Sequence, residues 1–86
     1  KPRTMKTYQI YGYTNADLEE FGEEMTTENH YATINGTAEG KAQAKEDARY
    51  ITTENFQNSN EMPDPIILVV IEDPAGDEVH REDRRP

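Results

Sequence analysis

The segment that most limits how this chain folds is Pro65-Ile66-Ile67-Leu68-Val69-Val70-Ile71-Glu72, the one continuous apolar run in a polar sequence. Its residues are mostly β-branched. Pro63 and Pro65 bracket its start and Asp73-Pro74 its end. A short run bounded by turn formers reads as a strand covered on both faces. It falls far below the roughly 20 apolar residues of a membrane span. The rest of the chain must pack on this strand or stay in water.

Two further segments alternate. Thr4 to Thr14 places Tyr8 and Ile10 on one side and Thr7, Gln9, Tyr11 and Tyr13 on the other, which predicts a strand with aromatic residues on both faces. His30 to Thr37 sets Ala32 and Ile34 against Tyr31 and Thr33, and the turn dipeptide Asn35-Gly36 is expected to end that strand. Ala38 to about Glu54 is rich in Ala, Lys, Glu and Gln and predicts the main helix. Its Ala44, Ala48 and Ile51 recur at i, i+4 and i+7, with Ala38 and Ala42 beside them. Asn55 to Asp64 reads as a loop. After the apolar strand, Asp73-Pro74-Ala75-Gly76 is expected to reverse the chain so that Glu78-Val79-His80-Arg81 returns as a hairpin partner.

The expected fold is therefore α+β: a small two-layer domain with a three- to four-stranded, mostly antiparallel sheet and one main helix, about 38–54, on one face. The chain reads as one domain, 1–86, with 1–4 and 83–86 as flexible tails.

Asn15 to Asn29 holds Asp17, Glu19, Glu20, Glu23, Glu24 and Glu28 with no base among them. Leu18, Phe21 and Met25 have helical spacing, and Thr14 with Asp17 resembles a capping box. Gly22 and the like-charged pairs Glu19–Glu23, Glu20–Glu24 and Glu24–Glu28 work against a continuous helix. A short helix or ordered excursion is expected, with Leu18, Phe21 and Met25 touching the core.

Eighteen acids against nine bases give a net charge of −9, which disfavours direct binding to nucleic acid. The apolar fraction is only 33%, so the core is thin. The absence of cysteine rules out disulfides and thiolate chemistry and suits a reducing, cytoplasmic location. No secretory leader pattern opens the sequence. Asn35-Gly36-Thr37 matches a glycosylation acceptor, which without such a leader reads as chance.

Lys41, Lys45 and Arg49 form a stripe at i, i+4, i+8, and Gly40 to Ala48 resembles the last helix of double-stranded RNA-binding domains. That resemblance covers this segment only. The family opens with a helix and closes on the lysine helix, whereas here a strand opens the chain and two strands follow. Glu46, Asp47 and the net charge also oppose phosphate binding, so the stripe reads as a solvated face whose stems cover apolar surface. His30 and His80 stand near carboxylates but lack a zinc-binding spacing such as H-E-x-x-H. Glu72 to Glu78 gathers acids around a turn without the EF-hand pattern. No metal or other cofactor is expected. Ser59 is the only serine and has no histidine near it in sequence, and no nucleotide-binding glycine pattern occurs, so no catalytic residue is assigned.

These readings lead to a small acidic, non-enzymatic protein that acts by binding another protein. In size and charge it resembles small inhibitors from phages and plasmids, anti-CRISPR proteins among them. That resemblance implies phosphate mimicry: carboxylates occupying the basic groove of a nucleic-acid-binding protein. The expected binding residues are Asp17, Glu19, Glu20, Glu23, Glu24 and Glu28, with Tyr11 and Tyr13 as apolar anchors. Two alternatives stand beside this reading. One is a structural or accessory subunit whose thin core is completed by homodimerisation. The other is a small enzyme using carboxylates. No membrane partner is expected.

Overall fold

The computed structural model describes residues 7–86. In chain order the elements are β1 (Thr7–Thr14), α1 (Asn15–Phe21), α2 (Glu23–Asn29), β2 (Ile34–Glu39), α3 (Lys41–Ile51), α4 (Glu54–Ser59), β3 (Ile66–Glu72) and β4 (Glu78–Asp83). The strands form one sheet in the order β2-β1-β3-β4, every neighbour antiparallel. This is the α+β two-layer arrangement the sequence predicts, with α3 packed on one face of the sheet. The short α1–α2 arm folds over part of the other face.

The apolar run is β3, an inner strand paired along both edges and buried on both faces, as the run predicts. Alternation sends Val69 and Ile71 to the α3 face, where they meet Ile10, Ala44, Ala48 and Ile51. Leu68 and Val70 face the other way, against Tyr11 and Tyr13, with Leu18 and Ala32 packed beside them. Strict alternation would put Ile66 with Leu68 and Val70. Instead Ile66 joins the α3 face, because Tyr13 pairs with Leu68 and Thr14 with Ile66. Ile67 is the extra residue of that bulge.

The helix boundaries differ from the sequence reading. α3 starts at Lys41, and Ala38, expected in the helix, lies in β2 opposite Tyr8. Asn35-Gly36 does not end a strand; both residues lie within β2, opposite Tyr11 and Ile10. Pairing with β1 outweighs the local turn preference. β2 begins only at Ile34, so Ala32 precedes it and packs on the α1–α2 side while Ile34 packs on the α3 side. Asn55 to Asp64 is not all loop. Thr53 Oγ1 accepts from Phe56 N at 3.2 Å and caps α4, whose Phe56 packs against the core.

The β3–β4 hairpin forms as expected. Asp73 Oδ1 accepts from the backbone N–H of Ala75 at 3.0 Å and of Asp77 at 2.9 Å, and Gly76 supplies the φ of +93° that closes the turn. The expected tail at 83–86 is corrected at its start. Asp83 belongs to β4, and Arg84 N donates to Ile67 O at 2.7 Å. The expected tail at 1–4 and the first residues of the Thr4–Thr14 strand, 4–6, lie outside the described residues.

Candidate acidic surface on the first two helices

The arm starts at Thr14, where both bonds of a capping box are present. Thr14 N donates to Asp17 Oδ2 at 3.0 Å, and Asp17 N donates to Thr14 Oγ1 at 3.1 Å. Thr33 Oγ1 also donates to Asp17 Oδ2, at 2.6 Å. Asp17 therefore holds the arm's root and the segment leading into β2. Gly22, at φ +77°, breaks the helix in two, as its position among like charges foreshadows. Thr26 then anchors α2: it is fully buried, and its hydroxyl donates to Gly22 O at 2.7 Å.

Glu23 is the second acid turned inward. Arg81 Nη1 donates to Glu23 Oε1 at 2.6 Å, and Arg85 Nη1 donates to Oε2 at 2.7 Å. Glu78 takes two further bonds from Arg81, at 2.7 and 2.8 Å, and Asp83 takes three from Arg85, two from the guanidinium at 2.5 and 2.9 Å and one from the backbone N–H at 3.0 Å. Hydrogen bonds from Arg81 and then Arg85 hold the Glu23 carboxyl below the usual glutamate range. Arg81 does the same for Glu78. Bonding from Arg85 brings Asp83 down to about 2. The chain's own arginines thus neutralise one end of the acidic arm and tie α2 across the sheet to β4.

Glu19, Glu20, Glu24 and Glu28 remain exposed. Glu19 accepts from Asn15 Nδ2 at 3.1 Å, and none of the four forms an ion pair with a base among the described residues. The acidic stretch therefore divides into two structural acids, Asp17 and Glu23, and four that face solvent.

The expected aromatic anchors need correction. Tyr13 is 0% exposed and Tyr11 9%, and both sit in the core under the arm. Tyr11 stacks on His30 with ring centroids 4.4 Å apart. Burial pushes both phenols above their ordinary range, and the Tyr13 hydroxyl is enclosed without a hydrogen-bond partner. The exposed apolar side chains near the acids are instead Met25, expected in the core, and Tyr31, which stacks on Phe21 at 4.7 Å. The sequence reading missed Arg81 and Arg85 as well. Their signal was a group of three arginines, Arg81, Arg84 and Arg85, in an acid-rich C-terminal segment.

The remaining candidates have structural surroundings. His80 Nε2 is 2.7 Å from Glu82 and His30 Nδ1 is 3.8 Å from Glu72; no cluster of three or more metal-ligating side chains occurs among the described residues. In the Glu72–Glu78 turn, Asp73 bonds the backbone and Glu78 bonds Arg81. Lys41 and Arg49 lie on the exposed side of α3, with Lys45 half-buried. None of the helices among the described residues is long and apolar enough to cross a membrane. No protein-family model, no curated protein and no solved structure matches the chain.

Proposed function

We propose that this protein acts by binding a basic protein partner through the α1–α2 arm, inhibiting a nucleic-acid-binding protein by phosphate mimicry. The observation that carries this reading is the division of the acidic stretch. Asp17 and Glu23 fix the arm to the sheet, and Glu19, Glu20, Glu24 and Glu28 face solvent with no ion pair to a base among the described residues. Carboxylates on a fixed scaffold bind without first losing conformational freedom. Along α2, Glu24 and Glu28 are separated by about 6 Å of helical rise. Met25 and Tyr31 supply exposed apolar contact beside them.

The role is one of binding, and it uses neither cofactor nor metal. The test is capture from source-cell lysate on immobilised protein, followed by elution with short duplex DNA and, separately, with salt. The reading expects a nucleic-acid-binding protein released by both. Capture that duplex DNA fails to reverse, or that strengthens with salt, would refute it.

A further inference from the structure

The sheet has two outer edges, and their chemistry is opposite. β4 carries Glu78, His80, Arg81, Glu82 and Asp83 along one edge, and its register with β3 shifts between Ile71 and Glu72. Charge and irregularity of this kind protect an edge from pairing with another strand. β2 at the other edge reads Ile-Asn-Gly-Thr-Ala-Glu, with no proline, no lysine and one charge, at its last residue. It pairs with β1 over its whole length without a register shift, and β1 is its only strand partner among the described residues. A regular, nearly uncharged strand with one side unpaired is a template for another strand.

We propose that β2 pairs antiparallel with β2 of a second copy of this chain, joining two sheets into one across a two-fold axis at Gly36. The sequence of the strand is its own complement in that register. Ile34 lies opposite the partner copy's Ala38 on the α3 face, where both side chains already pack against the core. Asn35 lies opposite Thr37 on the other face, where both are exposed. Gly36 meets Gly36, and an added Cβ there would find nothing within 4 Å. The only charged residue of the strand, Glu39, falls at opposite ends of the pair and never meets its counterpart. A basic partner finds its counter-charges on the α1–α2 arm and almost none here, so this edge fits a second copy better. The pairing is distinct from partner binding by the arm and has the opposite salt dependence. Two chains of net charge −9 repel, so screening strengthens the association. One strand pair falls short of the roughly 1,000 Å² of a stable interface, so the dimer forms only at high concentration.

The experiment is sedimentation equilibrium of the full chain from micromolar to millimolar concentration, at low and high salt, with amide hydrogen exchange followed residue by residue. The dimer fraction is expected to rise with concentration and with salt, and β2 amide protection to rise with it. Asn35→Glu with Thr37→Glu sets acid against acid twice across the axis and abolishes the dimer. Asn35→Lys with Thr37→Glu sets base against acid and retains or strengthens it. Circular dichroism confirms that both variants fold. A monomer throughout the range overturns the proposal. So does a dimer whose β2 amides stay unprotected, or β2 protection that does not change with concentration, which would mean the edge is covered from within the chain.

Discussion

Glu23 Oε1 on α2 lies 2.6 Å from Nη1 of Arg81 on β4, a contact between residues fifty-eight positions apart. Arg85 closes on the other carboxylate oxygen at 2.7 Å. This clasp fixes the acidic arm over the sheet, and it separates the one inward-facing glutamate from its outward neighbours.

The clasp gives a pH dependence with a definite sign. The carboxyls of Glu23 and Glu78 titrate below their ordinary value in the folded chain, and Asp83 falls to about 2. Groups depressed in this way add stability that is complete above their unfolded values and is lost as pH falls through the folded ones. Urea midpoints are expected to be flat from neutral pH to about 4.5, the ordinary glutamate value, and to fall from there toward about 2. The Glu23→Gln variant is expected to show a smaller acid loss. Because Glu23 and Arg81 are each about a third exposed, its cost at neutral pH stays below about 1 kcal/mol. An equal acid loss in the variant and the parent would remove Glu23 from this account.

Tyr13→Phe tests the enclosed hydroxyl. Its oxygen is buried without a partner, so removing it relieves a desolvation cost and breaks no bond. The variant is expected to match the parent or exceed it by up to about 1 kcal/mol in denaturant unfolding. A loss above about 1 kcal/mol would mean that the hydroxyl is bonded, to a water for example.

Ile51→Ala tests the packing of α3. Ile51 is 8% exposed and belongs to the cluster with Ile10, Val69 and Ile71. The two neighbouring buried contacts of the helix, Ala44 and Ala48, are small and bury little area. A loss of roughly 2–4 kcal/mol is expected in chemical denaturation. A change under about 0.5 kcal/mol would contradict the packing described.

The features legible in the sequence were those fixed by local pattern: the apolar β3, the alternation of β1 and the Asp73–Gly76 turn. The features that misled were those in which pairing overrode local preference. Ala38 sits in an alanine-rich run that favours helix, yet its place is set by Tyr8 across the sheet. Asn35-Gly36 carries turn chemistry, yet β1 straightens it. Thr53 was a readable cap whose signal was lost in the polar residues after it. Within the acidic arm, the sequence could not distinguish Glu23 from Glu24, because the difference lies in arginines brought across the sheet by β4. It placed Tyr11 and Tyr13 on one side of β1, but only the position of α1 shows that side to be covered.

The central claim is that the outward acids bind while the inward acids hold the arm in place. Its most direct measurement compares the parent with the combined Glu19→Lys, Glu20→Lys, Glu24→Lys and Glu28→Lys variant, for both affinity to the captured partner and melting temperature, across a range of salt. The account predicts an affinity loss of roughly a hundredfold or more at low salt, shrinking as salt is raised. It also predicts a melting temperature within a few degrees of the parent, because exposed charges contribute little to folding. Unchanged affinity across the salt range, with the variant folded, would contradict it.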